Sequence, residues 1–231
     1  MEDYIDIYKY KAYDETDFIK QFYNALGDDV LDNHSTDELL RAGEKILICL
    51  HKYSVDELID IVDDDSNVLG LIHPSNIPQY SNLKDVDKVL PIVESNAEFN
   101  CDYCLIGYFF NKFSKKGAQT KYGENHYKVA MLMGLAKQKK PLDITPLGSV
   151  YMNLDDEIRM DVKIKLFLRI PLIRYIMVHA RTETVNVYNI MSNFLAVKTT
   201  KRRKSNVKTL VELLIEKSNF KSIYYKNINW Y

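Results

Sequence analysis

Apolar residues recur along most of the chain at helical rather than strand spacing. In 14–26, Phe18, Phe22 and Leu26 lie four apart and Gly27 offers a stop, which predicts a first helix and then a turn at Asp28 and Asp29. A second helix is predicted from Ser35 or Thr36, either of which is an N-cap with Glu38 close behind; Leu39, Leu40, Ile46, Leu47 and Leu50 form its apolar face. A third covers 54–62. It runs into Asp63, Asp64 and Asp65, which sit badly at the negative end of a helix dipole and are expected to be a solvated loop. Pro74, Asn76, Pro78 and Ser81 make 69–82 a predicted linker or irregular crossing segment, and the first boundary is placed there.

Beyond residue 82 the pattern shortens. One helix is predicted around Val86, Val89 and Leu90, a second over 101–110 and a third over 123–135, the sequence of a helix-turn-helix core. Gly134, the lysines 137, 139 and 140, Pro141 and then 142–148 predict a two-stranded wing leading to a helix near Ser149. The mixed pattern of 163–170 fits strand or helix, and we take helix. Helices over 172–180, 185–194 and 205–216 predict a second three-helix unit.

Charge changes this picture most. Residues 1–98 hold 22 Asp and Glu against 8 Lys and Arg, whereas 99–231 hold 10 against 23, so a net charge of −1 conceals an acidic and a basic half. A half that basic attracts polyanions, because each Lys or Arg on a phosphate releases counterions. The alternative is two opposite surfaces that pack on each other. With 231 residues and 46% apolar content the chain can bury a core. No apolar run approaches the roughly 20 residues of a membrane span, and the first thirty residues carry acids where a signal peptide is basic and then apolar. Three cysteines do not suit a disulfide framework, so a cytoplasmic protein with reduced thiols and no membrane association is expected.

The run 122–135 (YGENHYKVAMLMGL), followed by 144–148 (ITPLG), resembles winged-helix modules of restriction endonucleases and related prokaryotic defence proteins. The likeness is a recognition helix ending in a leucine-glycine-leucine-like corner and a wing closed by a threonine-x-leucine-glycine turn. Met133 stands where leucine is usual. Residues 199–208 (TTKRRKSNVK) resemble the paired-arginine lead into a last helix of the same modules, although Leu210 and Leu213 replace its tryptophans. The resemblance covers 83–217. It implies a mainly α fold of tandem winged-helix-like units with a small β wing behind an acidic N-terminal helical region. The expected domains are 1–82 (acidic, helical), 83–160 (winged-helix-like) and 161–231 (basic, helix-turn-helix-like).

In such a fold Asn125, His126 and Lys128 would meet base edges, with Lys121, Lys139 and Lys140 on phosphates. In the second unit Arg202 and Arg203 would grip guanine or phosphate bidentately, with Lys198, Lys201, Lys204 and Lys208 as point charges. The expected partner is duplex DNA, and the expected role is regulation or DNA recognition in a restriction or anti-phage system. The acidic region would bind a protein partner or restrain DNA binding. Monomer and homodimer both stay open.

Other chemistry is less well supported. Cys101 and Cys104 have the spacing of half a zinc site, but no second pair exists and core packing is expected; His51, His73, His126 and His179 suggest no shared metal. Asp143, Asp161 and Lys163 are the acids and base of an alternative reading, a small Mg-dependent nuclease, in which Mg²⁺ would be the only cofactor. A protein-interaction module without nucleic acid is the third alternative. Tyr4, Tyr8, Tyr10 and Tyr13, four of 17 tyrosines, suit an interface or reflect coding bias.

Overall fold

The helical spacing is realised almost throughout. The structure, a computed structural model, describes residues 14–24, 35–63, 68–99, 101–138 and 140–231, and these hold twelve α-helices and two strands of two residues each. Expectations resting on Leu26, Gly27, Asp28, Asp29, Asp64, Asp65, Lys139 and the tyrosines at 4, 8, 10 and 13 lie outside the described residues. None of the described helices is long and apolar enough to cross a membrane.

The chain packs as two units. The first combines the described residues of 1–49 with 79–159, and the second combines 50–78 with 160–231. The stretch expected to be a linker or an irregular crossing segment is irregular structure that belongs to the second unit as far as Pro78. Val68–Leu71 and Pro74–Asn76 are 3-10 turns, and Val68, Ile72 and Ile77 are buried. Prolines and asparagines here shape turns whose apolar residues still point inward.

In the first unit, α1 (Glu15–Asn24) buries Phe18, Ile19 and Phe22. Helix α2 (Thr36–Lys52) is capped by Ser35, whose Oγ accepts the Glu38 N–H while the Glu38 carboxylate accepts the Ser35 N–H at 3.0 Å. Three further helices follow: α4 (Lys84–Ser95), α5 (Tyr103–Phe110) and α6 (Lys116–Leu132). Helices α5 and α6 pack so closely that backbone meets backbone. A Cβ at Gly107 would lie 1.9 Å from the Gln119 carbonyl oxygen, and one at Gly123 would lie 2.1 Å from that of Tyr103. Gly123 thus marks a helix contact, not the helix start expected from sequence. Helix α6 begins seven residues earlier, in polar turns that carry no apolar period.

Among the described residues, the segment expected to form the wing holds one antiparallel bridge, between Ala136 and Ile144. The Tyr127 hydroxyl, on α6, donates to the Lys137 carbonyl at 2.8 Å and so ties the bridge to the helix. Thr145 then caps α7 (Pro146–Met152), accepting the Gly148 N–H at 3.0 Å, with Pro146 in the first turn, where it needs no N–H partner.

The second unit contains α3 (Val55–Val62), capped reciprocally by Ser54 and Glu57, and most of α8 (Asp156–Leu166); of the helix expected over 163–170, α8 supplies 163–166 and a 3-10 turn follows at Phe167–Arg169. It continues through α9 (Pro171–His179), β1 (Val185–Asn186), α10 (Val187–Phe194), α11 (Val197–Lys217), α12 (Lys221–Asn227) and β2 (Ile228–Asn229). Strands β1 and β2 pair in parallel, Val185 opposite Ile228 and Asn186 opposite Asn229. A parallel pair requires a crossover, here α10 to α12, so this unit has no hairpin among its described residues.

Charge sorting along the chain does not follow the units. The first has 22 acids against 16 bases and the second 10 against 15, because the acidic segment 50–78 packs with the basic C-terminal part. Asp56 and Asp60 of α3 both pair with Arg181 there. Part of the asymmetry is internal neutralisation, the alternative that linear charge counting left open.

Candidate nucleic-acid interface

Helix α11 follows α10 across two residues, Leu195 and Ala196, and starts eight residues before the helix predicted at 205. The Thr-Thr-Lys-Arg-Arg-Lys run is thus helix, not a lead into one. Its first turns carry no apolar stripe because they bury little beyond Thr200, while Val207, Leu210, Val211 and Leu214 anchor the C-terminal part. Lys198, Lys201 and Arg202 are exposed, and Lys208 is half-buried 3.6 Å from Glu212. Spacings of three, four and seven place Lys198, Lys201, Arg202 and Ser205 on one face.

The other two basic residues of the run turn inward. Arg203 donates through Nη1 to the carbonyls of Pro74 (2.7 Å) and Ile77 (2.9 Å), and burial lowers its pKa. Lys204 donates to the Trp230 carbonyl at 2.9 Å and sits over the Tyr231 ring, 4.2 Å from its centre. Arg203 and Lys204, expected on DNA, are fixed to their own unit instead; in a half-buried helix every third or fourth cation must face the protein.

In the first unit the residues expected at base edges are also redistributed. His126 is fully buried. Its Nδ1 donates to the Tyr122 carbonyl at 2.8 Å, its Nε2 accepts from the N–H groups of Asn82 (3.3 Å) and Ser81 (3.4 Å), and its ring stacks on Tyr122 with centroids 4.1 Å apart. It is a core residue, which corrects the expectation of a base contact. Tyr122 in turn donates to Asp85 at 2.7 Å, and both burial and that bond push the phenol above its ordinary range. Lys121 and Lys128 bracket Glu124 at 2.7 and 2.6 Å, and these ion pairs lower the Glu124 pKa. Asn125 is half-buried on the same helix.

Burial lowers the His126 pKa, the neighbouring Asp85 opposing in part. A histidine depressed in the folded state stabilises the fold above its unfolded pKa of about 6.5 and loses that contribution as pH falls through the folded value. We expect the stability gap between the native protein and His126→Gln to be wider at pH 7.5 than at pH 5.5, read from denaturation midpoints. A gap that widens on acidification would refute this sign.

The turn into α6 and its first residue hold cations that the sequence reading passed over, because it started the helix too late. Lys112, Lys115 and Lys116 are exposed there. Lys116 and Lys140 line one cleft of about 590 Å³ with Cys101, Asp102, Cys104 and Thr120. Lys140 also borders a second cleft of about 580 Å³, beside Lys137 and Asp143. Cys101 is buried, which raises its thiol pKa, and the Cys104 thiol faces the Gln119 side-chain oxygen Oε1 at 3.9 Å. Among the described residues no three His, Cys, Asp or Glu side chains gather to hold a metal.

The nuclease alternative required Asp143 in a strand of a sheet, but it stands beside the lone bridge, 2.6 Å from Lys137. Asp161 lies on α8 with Lys165 at 2.6 Å, Lys217 at 3.4 Å and His51 at 3.8 Å, and Lys163 is buried. No family model, curated protein or solved structure matches the chain.

Proposed function

We propose that the protein binds duplex DNA through the N-terminal half of α11, with the start of α6 as a second contact, in the manner of helix-turn-helix and winged-helix-like units. The exposed face of Lys198, Lys201 and Arg202 carries this reading. A helix entered by a short turn from another helix and anchored along one face can lay the exposed face of its first turns in a major groove. In the first unit, Lys116 on α6 and Lys140 beyond the bridge would flank one cleft as helix and wing flank a backbone. A regulator or recognition component fits better than a nuclease, since Asp143 and Asp161 are tied into ion pairs.

The test is salt dependence of binding to a 30-base-pair duplex, followed by fluorescence anisotropy. Each phosphate contact contributes about 0.9 to the slope of log K against log salt. Replacing Lys198, Lys201 and Arg202 together by Ala is expected to flatten the slope by about 2.7 if each holds one phosphate. Arg203→Ala should leave the slope unchanged and lower stability, because its guanidinium holds the 74–77 turn. A native protein whose binding ignores salt would overturn the proposal.

A further inference from the structure

The turn between α5 and α6 displays aromatic rings where burial would be expected. Phe113 is 99% exposed, and Tyr108 and Phe109, one turn back on α5, are 42% and 49% exposed. Leaving a phenylalanine in water forgoes its burial energy, so such a side chain in a mobile loop would fold back onto the protein. This turn is held out. The side-chain amide of buried Gln119 donates to the carbonyls of Asn111 (3.0 Å) and Lys112 (3.4 Å). Asn111 Oδ1 accepts the Phe113 N–H at 3.2 Å, and the Asn111 carbonyl accepts the Ser114 N–H at 3.3 Å.

The charge around the rings has one sign. Residues 103–123 contain Lys112, Lys115, Lys116 and Lys121 and no Asp or Glu. Among the described residues no carboxylate forms an ion pair with Lys112, Lys115 or Lys116. Lys112 Nζ lies 6.0 Å from the centre of the Tyr108 ring. A fixed ring with cations one residue before it and two and three after it matches a base with the phosphates on either side. Inside a duplex, base faces are covered by their neighbours, and only an unpaired base offers a face to a protein ring. A membrane would need more apolar area than one fully exposed side chain supplies.

We propose that this tip binds single-stranded nucleic acid, with Phe113 stacking on a base and Lys112, Lys115 and Lys116 on the flanking phosphates. This goes beyond the duplex reading and fails separately from it. The experiment uses the full chain, a labelled 20-nucleotide single strand of DNA, a blunt duplex, and vesicles of phosphatidylserine and phosphatidylcholine. Stacking of one base is commonly worth about 5- to 100-fold in affinity. Phe113→Ala should weaken single-strand binding at least about fivefold and change duplex binding less than about twofold, whereas Phe113→Trp should retain the single strand. Since Phe113 touches solvent, the variants keep the fold, and unchanged far-ultraviolet circular dichroism checks this. Equal single-strand binding by Phe113→Ala and the native chain, or no single-strand binding by the native chain, overturns the inference whatever the duplex does. Vesicle binding that depends on Phe113 without single-strand binding overturns it in favour of a membrane surface. Single-strand binding without duplex binding supports it and removes the duplex reading.

Discussion

Asp56→Ala is expected to destabilise the second unit by about 3–5 kcal/mol, the range for removing one partner of a buried, hydrogen-bonded ion pair. Asp56 is buried, with Oδ1 accepting from the Ser218 hydroxyl at 2.6 Å and Oδ2 from the Asn219 N–H at 2.7 Å. Both donors sit where α11 ends and the chain turns into α12, so one carboxylate ties α3 to that corner. Arg181 donates through Nη2 to the Asp56 carbonyl at 2.9 Å, lies 3.4 Å from its carboxylate, and reaches the Tyr224 hydroxyl through Nε at 3.0 Å. Truncation to alanine strands the hydroxyl and the N–H together and takes one of two carboxylates from Arg181, which keeps the residue-56 carbonyl, Asp60 and Tyr224. Asp60 also pairs with Arg181 but is exposed, so Asp60→Ala should cost less than about 1 kcal/mol. Asp56→Asn keeps an acceptor oxygen and should fall between them. Denaturant titration of the three variants checks the order, and an Asp60→Ala loss equal to that of Asp56→Ala would sink the assignment.

The same network bears on the acidic region. Deleting residues 1–82 removes α3 and the 68–77 turns along with the acids, and so removes Asp56 from beneath Arg181 and the Pro74 and Ile77 carbonyls from Arg203. A change in DNA binding by such a truncation would report loss of the second unit. Charge reversal at exposed acids outside α3 is the cleaner probe of restraint.

The sequence disclosed those helices whose apolar residues repeat from their first turn. Helix α2 is legible from Leu39 to Leu50, and α3 from its Ser54 cap, because each buries a continuous face. Helices α6 and α11 were foreshortened for one physical reason: their N-terminal halves pack through polar or small residues, Gln119 and Gly123 in one and Thr200, Arg203 and Lys204 in the other, which carry no hydrophobic period. Those are also the turns that present the candidate contacts, so the site hid where pattern reading is weakest. The basic run 198–208 was visible as charge, but which of its members face outward depends on the helix phase, and that follows from Thr200 and Val207 being buried. For Arg203 and Lys204 the deciding partners, Pro74, Ile77 and Trp230, are remote in sequence. His126 failed as a base contact for the same reason, its partners Ser81 and Asn82 lying more than forty residues away.

Glycine supplies the second large effect, because Gly107 and Gly117 meet opposite surroundings. Gly107→Ala is expected to destabilise the first unit by at least about 2–3 kcal/mol, at the upper end of overpacking costs. Replacing a mid-helix glycine by alanine ordinarily stabilises by up to about 1 kcal/mol. Here that gain is overwhelmed, since the new Cβ would lie 1.9 Å from the Gln119 carbonyl oxygen and 2.7 Å from its Cα, so α5 and α6 must move apart as bodies. Separation would also loosen the Gln119 amide from the Asn111 and Lys112 carbonyls, and with it the turn that holds out Phe113. Gly117→Ala is the internal control. It lies in the first turns of α6 with nothing within 4 Å of its Cβ position, so the propensity gain should survive and the variant should be slightly more stable than the native chain. Thermal unfolding of the pair separates the two causes: loss at 107 with gain at 117 assigns the effect to helix contact, whereas gain at both would show that helix propensity governs both positions.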